Sequence, residues 1–558
     1  MSAKNQSKSI KNIWMVTREY NGLAGTGGVK DVSRQLAEAL VRAKKKVSVV
    51  LPFYGFMDPE RDDLVLLDIS FDVDMNYVNE ERRETVTIWQ RQYNGVTLYL
   101  IDADRYREKK GIYTYTVEEE GENPMNRQGA AYLDYFAMNI LLQKATMALC
   151  ILLAEKPDVI HCQDAHTAVL PAMIREQEGY RHYFRHTGTL VTIHNAGYGY
   201  HQEVGDLPFA KEICGLPYRY ILDHLLDGKF NPFLAASSFA VLNTVSENYA
   251  RELQQTDDDA LTGWLGHRLL TMGVHLEGVT NGINPADFAP GCEEGNSAAE
   301  LGLAATFDPA KGNLDGKRTC KEALLRAIEK NTIDGIQQSG TLNFTPDQPL
   351  FTMVGRLTTQ KGVDVLVPAL HALLDQDDRL QVLIQGTGAR EIEEELTALA
   401  EDNKNQGRIC VMRGYNGALA NRIYAAGDFF LIPSRYEPCG LTDFIAQLSG
   451  NIPIVHHVGG LVKVVDGVTG FAYQDHSSEA LMAAMLRAMQ VFREQPALIR
   501  KMQKDAVLAI HKHFTWDKVM NHYLRLYLDS VHLRLAGERE RLEAMGRARV
   551  RAGNKVLN

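Results

Sequence analysis

Residues 428–470 read D-F-F-L-I-P-S-R-Y-E-P-C-G-L-T-D-F-I-A-Q-L-S-G-N-I-P-I-V-H-H-V-G-G-L-V-K-V-V-D-G-V-T-G. An apolar run, Phe429 to Ile432, has the length of a buried strand and stops at Pro433. Glu437, a proline, Cys439 and Gly440 follow, just ahead of an apolar-periodic helix. The first amides of that helix, around Leu441, would face whatever Glu437 faces. A second short strand, Ile452 to His456, runs into Gly459-Gly460. A carboxylate and two backbone turns at the C-terminal ends of neighbouring strands make a ligand site. Ordinary turn chemistry would account for the glycines alone. It accounts poorly for Glu437, which sits between Arg435 and a Pro-Cys-Gly turn and needs a partner.

The same grammar extends upstream. Leu350 to Val354 reads as a strand ending in Gly355-Arg356-Leu-Thr-Thr-Gln-Lys361-Gly362, with a helix behind it. Gln381 to Gln385 ends in Gly386-Thr-Gly388, and Ile409 to Met412 is followed by Gly414-Tyr415-Asn416. The start of the chain repeats the pattern. Strand Ile13 to Thr17 leads into a loop with Gly22, Gly25, Gly27 and Gly28, then a helix carrying Val32, Leu36, Leu40 and Ala43, then strand Val47 to Leu51. Later strands end in polar residues: Asp158 to Cys162 before Asp164 and His166, Thr189 to Ile193 before His194-Asn195, and Ala240 to Val245 before Ser246. A hairpin is expected around Asn94-Gly95, a surface loop over 102–126, and a long helix over 128–155. The fold class expected is α/β, with two Rossmann-like domains facing each other across a cleft. The expected division is a disordered leader 1–11, an N-terminal domain 12–275, and a C-terminal domain 276–514 that includes a linker 276–345. A helix 515–535 crosses back, and a basic tail 536–558 closes the chain.

Composition narrows the function. A chain of 558 residues has ample core for two domains. The net charge of −10 argues against a nucleic-acid partner. The seven cysteines are scattered without C-x-x-C, so neither a disulfide framework nor a zinc site is read. No apolar run approaches the ~18 residues of a membrane span, and no signal peptide opens the chain. A cytoplasmic protein without membrane partners is expected; the sequence gives no oligomeric state.

Arg356 and Lys361 stand five residues apart across a strand-end loop. A guanidinium fork and a mobile ammonium suit a diphosphate, above all one whose charge grows as a bond breaks. The loop lacks the Walker pattern, and G-x-G-x-x-G fails at position 391, a glutamate. With no Asp-x-Asp motif in a strand-end loop, no metal and no cofactor are expected; the two cations would neutralise the diphosphate of a nucleotide sugar. Glu437 would hold the sugar hydroxyls or steady a cationic anomeric carbon, and His194 would hold the sugar from the other domain. One histidine at a strand end is most simply structural, but His161, His166 and His194 together read as functional.

The motifs then resemble a known family. T-G-G-V-K-D-V (26 to 32) is similar to K-T-G-G-L-x-D-V, and P-D-V-I-H-C-Q-D-A-H-T (157 to 167) to P-D-V-V-H-x-H-D-W-H-T. I-H-N-A-G-Y (193 to 198), N-T-V-S-E-N-Y-A (243 to 250) and N-G-I-N (281 to 284) have their counterparts in the same order. G-R-L-T-T-Q-K-G-V-D (355 to 364), P-S-R-Y-E-P-C-G-L-T (433 to 442) and F-T-W-D (514 to 517) are the specific matches. Together they resemble the bacterial glycogen synthases and plant starch synthases, retaining glucosyltransferases of the GT-B fold. The resemblance implies transfer of glucose from ADP-glucose to the non-reducing end of an α-1,4-glucan. It gives Arg356 and Lys361 the diphosphate, Glu437 and His194 the donor sugar, and Asp164 a place near the acceptor. It also puts the backbones of Gly27, Gly28, Asn195, Cys439, Gly440, Leu441, Gly459 and Gly460 at the substrates.

Five departures stand out. Gly25 replaces the lysine of K-T-G-G, Gln163 and Ala165 replace a histidine and a tryptophan, Asp443 replaces a glutamine, and Lys463 replaces an aspartate. They keep two alternatives open: a glucosyltransferase using UDP-glucose or another acceptor, and a non-catalytic glucan-binding relative.

Overall fold

The computed structural model describes residues 10–291 and 298–556, with side chains described through 537. The leader expected over 1–11 falls almost wholly outside the described residues. The chain divides into two compact units, one of residues 1–282 with 516–558, the other of 283–515.

The first unit is built on a nine-stranded sheet. Its strands are β1 (Asn12–Val16), β2 (Lys46–Pro52), β3 (Val65–Asp74), β4 (Arg83–Tyr93), β5 (Val96–Asp102), β6 (Val159–Gln163), β7 (Gly188–Ile193), β8 (Val241–Thr244) and β9 (Glu277–Gly278). They lie in the order β9-β8-β7-β6-β1-β2-β5-β4-β3. All neighbours from β9 to β5 are parallel, and β4 and β3 add an antiparallel edge. Strand order reverses at β1, so the loops after β1 and β6 adjoin at the switch point. Helix α1 (Gly28–Arg42) leaves the glycine loop, and α2 (Tyr135–Leu152) packs as a core helix. Against the expectation that no run approaches a membrane span, helix α2 is long and apolar enough to cross one by composition, because a core helix buried on most sides is apolar all round; most of it is buried inside the unit.

The second unit carries a seven-stranded sheet. After α3 (Asp315–Glu329) come β10 (Gln337–Leu342), β11 (Leu350–Val354), α4 (Val363–Gln376), β12 (Gln381–Gly386), β13 (Arg408–Arg413), β14 (Phe429–Ile432), α5 (Thr442–Leu448), β15 (Ile452–His456) and β16 (Phe471–Tyr473). The order is β10-β13-β12-β11-β14-β15-β16, parallel except for β10. Its switch point lies between β11 and β14, between the Arg356–Lys361 loop and the Glu437 loop.

The last helix, α6 (Trp516–Val556), belongs to the first unit. Its Trp516 is buried and donates its indole N–H to Gln35 at 2.8 Å, while Tyr523 and Tyr527 pack on His161. The region expected as a tail over 536–558 continues this helix to Val556.

Several expectations need correction. The long helix begins at Tyr135 rather than 128, because Gln128 to Asp134 form turns. The stretch 102–126 is not a plain surface loop: it holds two short helices and buries Tyr106 and Ile112.

Candidate functional site

In the second unit the two switch-point loops meet through an ion pair. Lys361 Nζ donates to Glu437 Oε2 at 2.6 Å, and Ser434 Oγ donates to the same oxygen at 3.1 Å. Glu437 is buried. Burial pushes its carboxyl up, but the charge and hydrogen bond of Lys361, with Ser434 and Lys463 behind them, outweigh this and hold it below the usual range. It is an anion at neutral pH. The partner that the sequence demanded for Glu437 is therefore Lys361; the neighbouring Arg435 turns to Asp364 at 3.4 Å. Arg356 is exposed on the same loop as Lys361 and donates to Gln360 at 3.3 Å.

The Gly459-Gly460 turn closes against this loop. The Gly460 amide donates to the Glu437 carbonyl at 2.8 Å. Gly459 has φ +50, and a Cβ there would lie 2.0 Å from that carbonyl oxygen, so only glycine fits. Cys439 is buried, and Gly440 bends left-handed at φ +74. Arg356, Lys361, Glu437, Cys439, Gly440, Leu441, Gly459 and Gly460 thus come from three strand-end loops of one sheet edge. Tyr415 stands 82 % exposed after β13 and offers a bare aromatic face.

In the first unit, Asp164 ends β6 with φ 63 and ψ 179, a backbone conformation that costs a non-glycine residue energy. Its carboxyl is buried and pushed up to about 8 by that burial, against opposing bonds from the amides of Ala165, His194 and Asn195. Its Oδ1 has no hydrogen-bond partner among the described residues. A strained, buried carboxyl with an unused oxygen is the kind of group that sits at functional sites. His194 is buried and pushed down to about 4, so its ring is neutral at pH 7. Its Nε2–H donates to Gln163 Oε1 at 2.6 Å. With Nε2 carrying the proton, Nδ1 of the neutral His194 ring is an acceptor. The Asn195 side chain accepts from its own loop, Gly197 N–H, at 2.8 Å.

The glycine loop is organised by a residue the sequence reading passed over. Glu19 is buried and accepts from the amides of Thr26 at 2.8 Å and Gly27 at 3.1 Å, and from Tyr113 Oη at 2.7 Å. The Gly27 amide is thus engaged by the protein itself. Arg18, also buried, donates to Tyr54 and Asn139 at 2.7 Å and to the Ile112 carbonyl. The signal was present: Thr17-Arg18-Glu19 ends β1 at the switch point, where polar residues meet ligands.

His161 corrects an expectation. It lies inside β6 rather than at its end. Tyr527 Oη donates to its Nδ1 at 3.0 Å, its Nε2–H donates to Thr192 Oγ1 at 2.8 Å, and Thr192 donates to Asn243 at 2.7 Å. It joins α6 to the sheet and is structural. His166 is buried and packs its ring on Tyr113 at 4.7 Å.

Two departures from the family pattern acquire partners. A Cβ on Gly25 would lie 2.2 Å from Cδ of Lys30 and 2.6 Å from its Cβ, so the Lys30 stem occupies the space a side chain at 25 would need. Lys463 reaches Asp443 at 3.2 Å, both buried.

Residues 12–272 match the family model of the starch synthase catalytic domain, and residues 348–490 that of glycosyl transferases group 1. The glycogen synthase of Anaeromyxobacter sp. (strain Fw109-5) is 32 % identical over 529 residues, covering 92 % of this chain and 98 % of that protein. The glycogen synthase of Aeromonas hydrophila subsp. hydrophila is 29 % identical over 531 residues, covering 93 % and 98 %. Among solved structures, the catalytic domain of Starch Synthase IV from Arabidopsis thaliana bound to ADP and acarbose matches with a TM-score of 0.76 at 25 % identity, covering 94 % of this chain and 100 % of that one. The chain belongs to the glycogen synthase and starch synthase family of glycosyltransferases, with the GT-B fold.

Proposed function

We propose that this glucan synthase takes its glucose from ADP-glucose and adds it, with retention, to the non-reducing end of an α-1,4-glucan in the cytoplasm. The observation that carries the reading is the 2.6 Å pair of Lys361 and buried Glu437 at the sheet's switch point, with Arg356 on the same loop. Arg356 and Lys361 face the growing negative charge of the diphosphate as it leaves. Glu437, held as an anion, accepts from the donor sugar's hydroxyls. The acceptor hydroxyl attacks the anomeric carbon as the bond to the diphosphate breaks, and its proton passes to the departing phosphate oxygen on the same face. Neutral His194 accepts a sugar hydroxyl at Nδ1, Asp164 lies near the acceptor, and Tyr415 stacks on the nucleobase. The likeness to a starch synthase that holds ADP and acarbose favours an adenine donor and a glucan acceptor. In this reading the two cations stand in for a metal, so a chelator leaves the rate unchanged.

The test is incorporation of labelled glucose into glycogen from ADP-glucose and UDP-glucose in parallel, with the anomeric configuration of the new linkage read by proton NMR. Transfer from ADP-glucose with an α product is expected. Transfer from UDP-glucose alone overturns the donor, and glycogen binding without transfer from either donor overturns the catalytic reading.

A further inference from the structure

We propose that Lys463 and Asp443 are a buried positioning pair that holds the Cys439–Leu441 turn with its amides presented to the donor's diphosphate. The proposal deepens the reading above and rests on it for the identity of the anion.

The geometry centres on one ammonium. Lys463 Nζ donates to the carbonyls of Cys439, of Gly440 at 2.8 Å and of Gly460 at 3.0 Å. It also pairs with Asp443 at 3.2 Å and lies 4.5 Å above the Phe444 ring. The side chains of Lys463 and Asp443 are 7 % and 0 % exposed, so this is an internal tie rather than a surface contact. It joins the turn after Glu437 to the turn after β15.

Two successive carbonyls facing one cation require an unusual backbone. Gly440 supplies it with φ +74, followed by Leu441 at φ −101 and ψ −27. Alternation of hand between neighbouring residues turns successive N–H groups to one side, the arrangement of an anion-binding nest. In a trans peptide the N–H points opposite to the C=O. With the Cys439 and Gly440 carbonyls turned onto Lys463, the Gly440 and Leu441 amides point away from it. Gly440 has no side chain to obstruct the tie: a Cβ there would lie 2.9 Å from Asp443 Oδ1 and 3.2 Å from Lys463 Nζ.

The pair also resolves two departures as one. Residues 443 and 463 are a glutamine and an aspartate in the family pattern; here they are an aspartate and a lysine. Each change alone would bury an uncompensated charge. Made together they neutralise each other and exchange a carboxylate under the turn for a cation.

The experiment uses Asp443→Gln, Lys463→Asp and the double variant, with Lys463→Arg as the conservative control. Affinities for ADP, UDP and inorganic pyrophosphate are measured by calorimetry beside donor KM, kcat and Tm. Each of Asp443→Gln and Lys463→Asp is expected to lower kcat/KM for the donor on the order of 100-fold, the effect of a misplaced binding group. The loss should fall mainly on KM and on pyrophosphate affinity. The double variant and Lys463→Arg should each recover most of it. Folded single variants with unchanged donor KM and anion affinity, differing only in Tm, overturn the proposal and leave a structural pair. Wild-type protein that binds pyrophosphate but neither nucleotide overturns the donor assignment and leaves the pair standing; binding of none overturns both.

Discussion

The glycine loop of the first unit and the Glu437 turn of the second both lose a charge that the family pattern carries, and they answer differently. In the first, Gly25 opens a space that the Lys30 stem fills, and the ammonium pairs with Asp31 at 2.5 Å in a half-open setting. In the second, Asp443 and Lys463 pair within the buried floor of the turn. A partly exposed cation moves between positions at little cost, because water screens whatever is left unpaired. A buried charge changes only with its partner, since a lone ion there costs several kcal/mol. The first loop can vary one residue at a time; the second has to vary in pairs.

The largest effect is expected in the second unit, at the Lys361–Glu437 pair that the proposed function relies on. Glu437→Ala or Lys361→Ala should lower kcat by on the order of 1,000-fold, the effect of removing a group aimed at developing charge. Circular dichroism should show both variants folded, with Lys361→Ala losing Tm because it leaves buried Glu437 without its cation. A Glu437→Ala variant with near-normal turnover would remove this carboxylate from the site.

The next effect is on stability and sets the buried pair against the open one. Lys463→Met leaves Asp443 buried without its cation and should cost about 3–5 kcal/mol in denaturant unfolding. Lys30→Met, which breaks the pair with Asp31, should cost about 1 kcal/mol or less. Equal losses in the two variants would erase the distinction between the loops.

Asp164 extends the contrast to pH. Its carboxyl is raised by burial from 3.8 to about 8, with Glu19 nearby and the amides of Ala165, His194 and Asn195 opposing the shift. The folded protein therefore keeps a proton that the unfolded chain has released. Its contribution to stability is full below pH 4 and is lost as pH rises towards about 8. Asp164→Asn should lose less Tm than wild type between pH 5 and pH 9, while its glucan transfer falls at every pH. A parallel pH–Tm curve for the two proteins would place the titration elsewhere.

Much of this was readable before the fold was known, for a definite reason. Parallel strands buried on both faces appear as short apolar runs, and the residues just after them are the ligand loops. That put Arg356, Lys361, Glu437, Asp164 and His194 in view. Strand β10 escaped because an edge antiparallel strand can carry polar sequence: it reads Q-Q-S-G-T-L. The structural role of His161 is not legible locally because its partner, Tyr527, lies 366 residues away. Tyr113 falls in a stretch whose sequence reads as a surface loop, yet its hydroxyl donates to Glu19 across 94 residues. Asp443 and Lys463 read as two separate replacements, since 19 intervening positions hide a contact that only the fold brings about.

The smallest effect is the sharpest test of the open loop. A lysine side chain cannot begin at 25 while Lys30 keeps its place, because a Cβ on Gly25 would overlap the Lys30 stem. That stem is flexible and can swing out, so Gly25→Lys should fold with a Tm close to wild type. If Lys30 supplies the cation that Gly25 lacks, Lys30→Ala should raise donor KM roughly tenfold, the value of one charge-assisted hydrogen bond at about 1.5 kcal/mol. Combining it with Gly25→Lys returns a lysine to the loop without crowding and should restore KM to within about threefold, well inside that single bond's worth. Gly25→Lys alone should change KM less than Lys30→Ala does, since it displaces one ammonium while adding another. Additive losses in the double variant would mean that the two positions address different parts of the ligand. Recovery would show the loop exchanging its cation one residue at a time, the freedom that the buried Asp443–Lys463 turn does not have.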